Sequence, residues 1–176
     1  MSAAGLPIWT NGRFEADAWT RHDPESDSLS GGEALLVPLS DFLADADRFL
    51  GHNGPIGVEV QAGESVRELE PYLWKLSLIA LTFPAFSDGR SYSAARLLRE
   101  RLNYQGELRA VGDVLADQIP QMRRCGITSF AVTHAPTRAA LEAGRLAEVR
   151  HFYQPIPTAP GEAPAGTRPW LRQPAS

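Results

Sequence analysis

From Ala34 onward the chain alternates short apolar runs with stretches of helical periodicity, and this alternation constrains the fold more than any other feature. The runs are Ala34 to Leu39, Ile56 to Val60, Leu78 to Phe83, Leu108 to Val111 and Ser129 to Thr133, with a further candidate at His151 to Gln154. Apolar strands buried on both faces and separated by helices need crossover connections, so they imply a mainly parallel sheet. The expected fold is an α/β single domain of repeated βα units. An open three-layer sheet is the first expectation and a partial barrel the second.

The intervening segments carry helix signals. Ser40 to Leu50 has a hydroxyl for its N-cap, Asp41 near the positive end, and Phe42, Leu43, Ala46, Phe49 and Leu50 on one face. Val66, Leu69, Leu73 and Leu76 follow at helical spacing, with Pro71 expected to kink or restart that helix. A third helix is expected from Ser91 to Leu102. A fourth is expected from an Asp113 N-cap to Gly126, bent at Pro120, and a fifth after Pro136.

Both ends read differently. Asn11-Gly12 between Ile8-Trp9-Thr10 and Arg13-Phe14 tolerates the positive φ angles of a two-residue hairpin turn, so a short N-terminal β-hairpin is expected. Asp23 to Glu33 is rich in Ser, Gly and acid and reads as a loop. After Gln154, six of the 14 prolines fall in Pro155 to Pro174, the composition of a disordered tail. The organisation expected is therefore hairpin and loop over 1–33, the α/β domain over 34–154, and the tail over 155–176.

Composition removes several classes of function. Lys and Arg total 17 against 21 for Asp and Glu, a formal charge of -4 that argues against non-specific nucleic-acid binding. No run approaches the ~20 apolar residues of a membrane span, and Met1 to Phe14 lacks the features of a signal peptide, so a cytoplasmic location is expected. Cys125 is the one cysteine, which excludes an intramolecular disulfide and an iron-sulfur cluster held by this chain alone. Its place before Gly126 suggests a buried structural thiol. The four histidines show no ligand spacing, so no metal is expected. No glycine-rich nucleotide motif is present, so no cofactor is expected either.

One segment gathers chemistry. Phe83 to Ser93 follows the carboxyl end of the third strand and runs into a helix N-terminus, the position where parallel α/β sheets bind ligands and where backbone N–H groups favour an anion. Arg90 with Ser91, Tyr92 and Ser93 would supply donors suited to sulfite, sulfate or phosphate. Asp88 and Gly89 form the turn before it. Gly112 and Asp113 end the next strand on the same side, Gly112 permitting close backbone approach, and Gln118 lies a turn further on. Taken singly these are ordinary caps and ion-pair partners, Arg90 with Asp88 or Asp113. As a group they stand out, because residues 86–126 hold seven arginines against five acids while the remainder of the chain is acidic. A basic patch on an acidic protein is expected there, with Arg96 a member or part of a solvated helix face.

The segment FPAFSDGRSYSAARLLRERLNYQGELRAVGDVLADQIPQMRRCGITSF resembles the core motif of a bacterial domain-of-unknown-function family described as a probable oxidoreductase involved in sulfite reduction. The likeness extends more weakly upstream through Gly12-Arg13-Phe14, Trp19, Leu36-Val37-Pro38-Leu39, Asn53-Gly54-Pro55 and Gly57-Val58. Matching positions include Asp88, Gly89, Arg90, Tyr92, Ser93, Arg96, Arg109, Gly112, Asp113, Gln118 and Gly126. The chain departs at Pro120, at Ile127-Thr128-Ser129 where members often carry Phe-Asp-Ala, and in the Pro-rich tail. Genes of the family commonly neighbour those for assimilatory sulfite reductase and phosphoadenylyl-sulfate reductase. The resemblance therefore implies an accessory protein of sulfur assimilation that binds an oxoanion or a component of one of those reductases, with electron-carrying centres on another chain. An enzyme acting at the Asp88 to Ser93 and Gly112 to Gln118 surface is the alternative, and a non-catalytic scaffold module the third.

Overall fold

The computed structural model describes residues 7–24, 31–85 and 87–146, together with the backbone of two strands at 162–165 and 168–174. The chain is a mixed α/β domain built on one curled, mostly parallel sheet. Its strands are β1 (Ile8–Thr10), β2 (Arg13–Glu15), β3 (Trp19–Arg21), β4 (Ala34–Pro38), β5 (Ile56–Val60), β6 (Leu76–Phe83), β7 (Glu107–Gly112) and β8 (Ser129–Ala131). The order across the sheet is β2-β1-β8-β7-β6-β5-β4-β3. Strands β3 to β8 run parallel, and the β1-β2 hairpin joins antiparallel to β8.

This order forces curvature. Strands β2 and β3 are the two opposite edges, yet Glu15 and Trp19 are only four residues apart, a reach of at most about 14 Å. The edges must therefore come round toward each other. The sequential order also never reverses, so crossovers of one hand place their helices on one side. The expectation of an open three-layer sheet is corrected on this ground, because a helix layer on each side requires the strand order to reverse.

The two faces of the sheet differ accordingly. Outward-pointing Val37, Val58, Ile79, Leu81, Phe83, Leu108 and Phe130 bury against Phe42, Phe49, Leu69, Leu98, Ile119 and Met122 from the connecting segments. On the inner face, Ile8, Leu36, Leu78, Ala80, Val111 and Ala131 form a smaller cluster capped by Trp19. Gly57 makes room for that indole: a Cβ there would lie 2.9 Å from Trp19 Cζ3 and 3.0 Å from Leu78 Cβ.

Local chemistry sets the remaining elements. Asn11 and Gly12 take φ of 49° and 81°, the paired positive values of the hairpin turn. The first expected helix is two, α1 (Leu39–Ala44) and α2 (Ala46–Leu50), divided at Asp45, whose φ of -147° is not helical. Around Pro71 the chain forms a 3₁₀ helix (Val66–Tyr72). Helix α3 (Arg90–Arg96) continues into a π turn (Leu97–Arg101), closed by Leu102 N–H donating to Leu97 O at 3.0 Å.

Helix α4 spans only Ile119–Arg124, so a fourth helix starting at Asp113 is corrected. The Asp113 N–H is turned back onto Phe83 O at 2.7 Å, and the chain then makes a separate turn, Gln118 N–H donating to Leu115 O at 3.1 Å, before the helix begins. Pro120 sits in the first turn of α4, where its missing N–H costs nothing, and so starts the helix instead of bending it. Helix α5 (Ala135–Glu142) follows, with Pro136 in its first turn.

The strand expected at His151 to Gln154 and most of the Pro-rich tail lie outside the described residues. Within the tail, β9 (Glu162–Ala165) and β10 (Arg168–Pro174) pair antiparallel as a separate sheet. Among the described residues no helix is long and apolar enough to cross a membrane.

Candidate functional site

The parallel strands end on one rim, and the segments that follow β5 and β6 enclose a groove of about 350 Å³ there. Its floor is apolar, formed by Val60, Leu81, Ala94 and Leu97. Gln61, Glu64, Ser65 and Arg67 line one wall and Arg90 and Ser93 the other. The groove exists because β5 is followed by the turn Gln61–Ser65 and β6 by the turn into α3, two neighbouring loops on the carboxyl side of the sheet.

Arg90 is the best-defined donor of the wall. Its Nε lies 3.0 Å from Asp88 Oδ1, its Nη2 2.5 Å from Asp88 Oδ2, and its backbone N–H 3.1 Å from Asp88 Oδ1. These hydrogen bonds, the side-chain ones first, lower the Asp88 carboxyl to a pKa of about 2. The same pairing raises the already high pKa of the Arg90 guanidinium. Asp88 thus fixes two of the three guanidinium nitrogens and leaves Nη1 turned to the groove beside Gly63. A Cβ on Gly63 would lie 2.7 Å from Nη1, and the Gly63 φ of 100° itself favours glycine. Nη1 finds no acceptor among the described residues. Arg67, exposed on the other wall, is likewise unpaired among them.

The other expected site residues divide. Gly89, exposed, precedes the first turn of α3, and Ser93 opens to the groove. Ser91 is buried, and its hydroxyl donates to Thr82 O at 2.6 Å, stitching α3 to β6. Tyr92 packs edge-on against Phe83 with ring centroids 5.1 Å apart, and burial raises its pKa. Gly112, with φ of 93°, lets β7 end against β6: a Cβ there would lie 2.4 Å from Phe83 O. Asp113 follows it at the rim but does not line the groove. Gln118 is buried, its Oε1 accepting the Leu115 N–H at 3.3 Å.

The arginines do not form one basic patch. Arg96 pairs with Glu100 at 3.0 Å on the α3 surface. Arg99 donates to Gly126 O at 3.1 Å and to Tyr104 O at 2.5 Å, tying the end of the α3 segment to neighbouring loops. Arg109 points into the curl of the sheet, on the face opposite the groove. It is 5% exposed and bonds Asp17 at 2.8 Å and Glu107 at 2.9 Å. Ser129 donates to the same Glu107 carboxylate, and Arg21 pairs with Glu59. This interior ion network leaves a gap of only about 20 Å³, room for one water.

The residues that the motif around Asp88 did not announce are Gln61 to Arg67 on the opposite wall. Their signal was positional, since they follow the carboxyl end of a strand neighbouring β6. The interior network carried a clearer sign: Glu59 and Arg109 are charged residues inside otherwise apolar strands. Cys125 is buried, and burial raises its thiol pKa. Among the described residues, no group of three or more His, Cys, Asp or Glu side chains is placed to hold a metal ion.

A family model described as a bacterial protein of unknown function (DUF934) matches residues 57–164. No curated protein matches the chain.

Proposed function

We propose a function for this chain, which belongs to the bacterial protein family of unknown function DUF934: it is an accessory protein of assimilatory sulfite reduction that binds an oxoanion in the rim groove. The observation that carries this reading is the Arg90 guanidinium, clamped by Asp88 on two nitrogens and offering the third to the groove beside Gly63. A clamped guanidinium is pre-oriented, so little side-chain freedom is lost when an anion arrives. The Ser65 and Ser93 side chains on the two walls add hydroxyl donors, and Arg67 adds a second positive charge.

Sulfur assimilation enters through the likeness of the Asp88-to-Gly126 motif to proteins encoded beside sulfite reductase. In this reading the electron-carrying centres belong to a reductase component in the cytoplasm, and the present chain docks on it or delivers the anion to it. Calorimetry with sulfite and sulfate tests the binding step: the intact protein should bind, and Arg90→Ala should lose most of the affinity. Disruption of the gene tests the cellular role. Growth should fail on sulfate and sulfite and return on sulfide; normal growth on sulfate would reject the reading.

A further inference from the structure

The rim groove is built for more than a bare anion. Its volume of about 350 Å³ falls in the range of sites that enclose whole small organic molecules, roughly 300–1,000 Å³. Buried Val60 and Leu81 back the floor, and the partly exposed Ala94 and Leu97 form its open apolar surface, which an oxoanion seated at Arg90 Nη1 would leave wet. The charges are confined to the walls. Glu64, the acid among them, is occupied as acceptor of the Gln61 N–H at 2.6 Å and so folds its own loop.

We infer that the ligand is an organic oxoanion ester, with a phosphate- or sulfate-type head at Arg90 and an apolar or aromatic body lying on the Ala94 and Leu97 floor. This rests on the oxoanion reading above and adds the body to it. Head and floor are separable because the guanidinium is held by Asp88, on the turn before α3, whereas the floor belongs to β5, β6, Ala94 of α3 and Leu97 of the π turn that follows it.

Calorimetry on the full chain with phenyl phosphate, phenyl sulfate, inorganic phosphate and sulfate tests the inference. Burying one ring on the floor should make the esters bind roughly tenfold tighter or more than the matching inorganic ions. The two ester arms show which head is preferred. Ala94→Leu, which fills the floor, should remove the ester's advantage over the matching inorganic ion. Leu97→Ala, which hollows the floor instead, should cut ester affinity several-fold and narrow the ester's margin over the inorganic ion. Equal affinities for ester and inorganic ion would overturn the inference while leaving the oxoanion reading intact. Absence of binding by all four probes would overturn both.

Discussion

The Arg109 guanidinium on β7 lies 2.8 Å from Asp17, the residue midway along the link that joins the two edges of the sheet. The two side chains are 5% and 8% exposed, so the pair is a buried clasp across the inside of the curl. Removing one partner strands the other: Arg109→Met leaves the Asp17 and Glu107 carboxylates without their shared cation. That change should destabilise the fold by about 3 kcal/mol or more in urea unfolding. The Asp17→Asn/Arg109→Met double variant should lose less than the two single losses added together. An additive result would show that the pair does not couple.

Gly112 should resist substitution. A side chain there meets both a φ of 93° and the Phe83 carbonyl, which would lie 2.4 Å from a Cβ. The backbone angle alone costs on the order of 1–3 kcal/mol for a non-glycine residue. Gly112→Ala should therefore lower the urea midpoint clearly, while Gly89→Ala, where a Cβ meets nothing within 4 Å, should change it little. Equal effects would refute the close approach of β7 to β6.

Asp88 should titrate far below an ordinary aspartate. Its carboxyl sits at about pH 2 because Arg90 donates to it from side chain and backbone. A carboxyl whose folded pKa is depressed stabilises the fold above its unfolded pKa, and that contribution fades as pH falls toward about 2. Asp88 therefore stays ionised through neutral pH and keeps Arg90 clamped. Carbon NMR of the carboxylate should report this midpoint, and Arg90→Ala should return it toward the ordinary carboxylate range. An unchanged midpoint in that variant would contradict the pairing.

Cys125 should behave as a packing residue. It is 4% exposed, and burial raises its pKa, so little reactive thiolate is present near pH 7. A disulfide reagent should modify it only at the rate of unfolding. Rapid labelling of the native protein would show that this thiol is open to solvent.

Much of the fold was legible because strand burial leaves a simple trace. Ile56–Val60 stands out as an apolar run, and Asn11-Gly12 names its own turn. The curl was not legible, because it depends on which strands pair, and β3 (Trp19–Arg21) is short and half polar. Asp113 misled in a different way. Its residue type suits an N-cap, but the preceding positive φ at Gly112 hooks its N–H onto β6.

The Asp88–Arg90 turn was readable as a rim feature because it follows the carboxyl end of an apolar strand and runs into a helix. The fate of the other arginines was not, since Arg99 and Arg109 are claimed by partners distant along the chain: Gly126 for Arg99 and Asp17 for Arg109. The opposite groove wall was missed for a related reason. Gln61 to Arg67 carries no motif of its own, and it becomes part of a site only by lying beside the turn that follows β6.

The central claim is that Arg90 receives an oxoanion inside the rim groove. Nitrogen-proton correlation spectra recorded during titration with sulfate test it most directly, because they report which residues feel the ion. The account predicts saturable shifts at Gly63, Ser65, Ser93 and the Arg90 side chain, all absent in Arg90→Ala. Shifts confined to other surfaces, or none at millimolar sulfate, would contradict it.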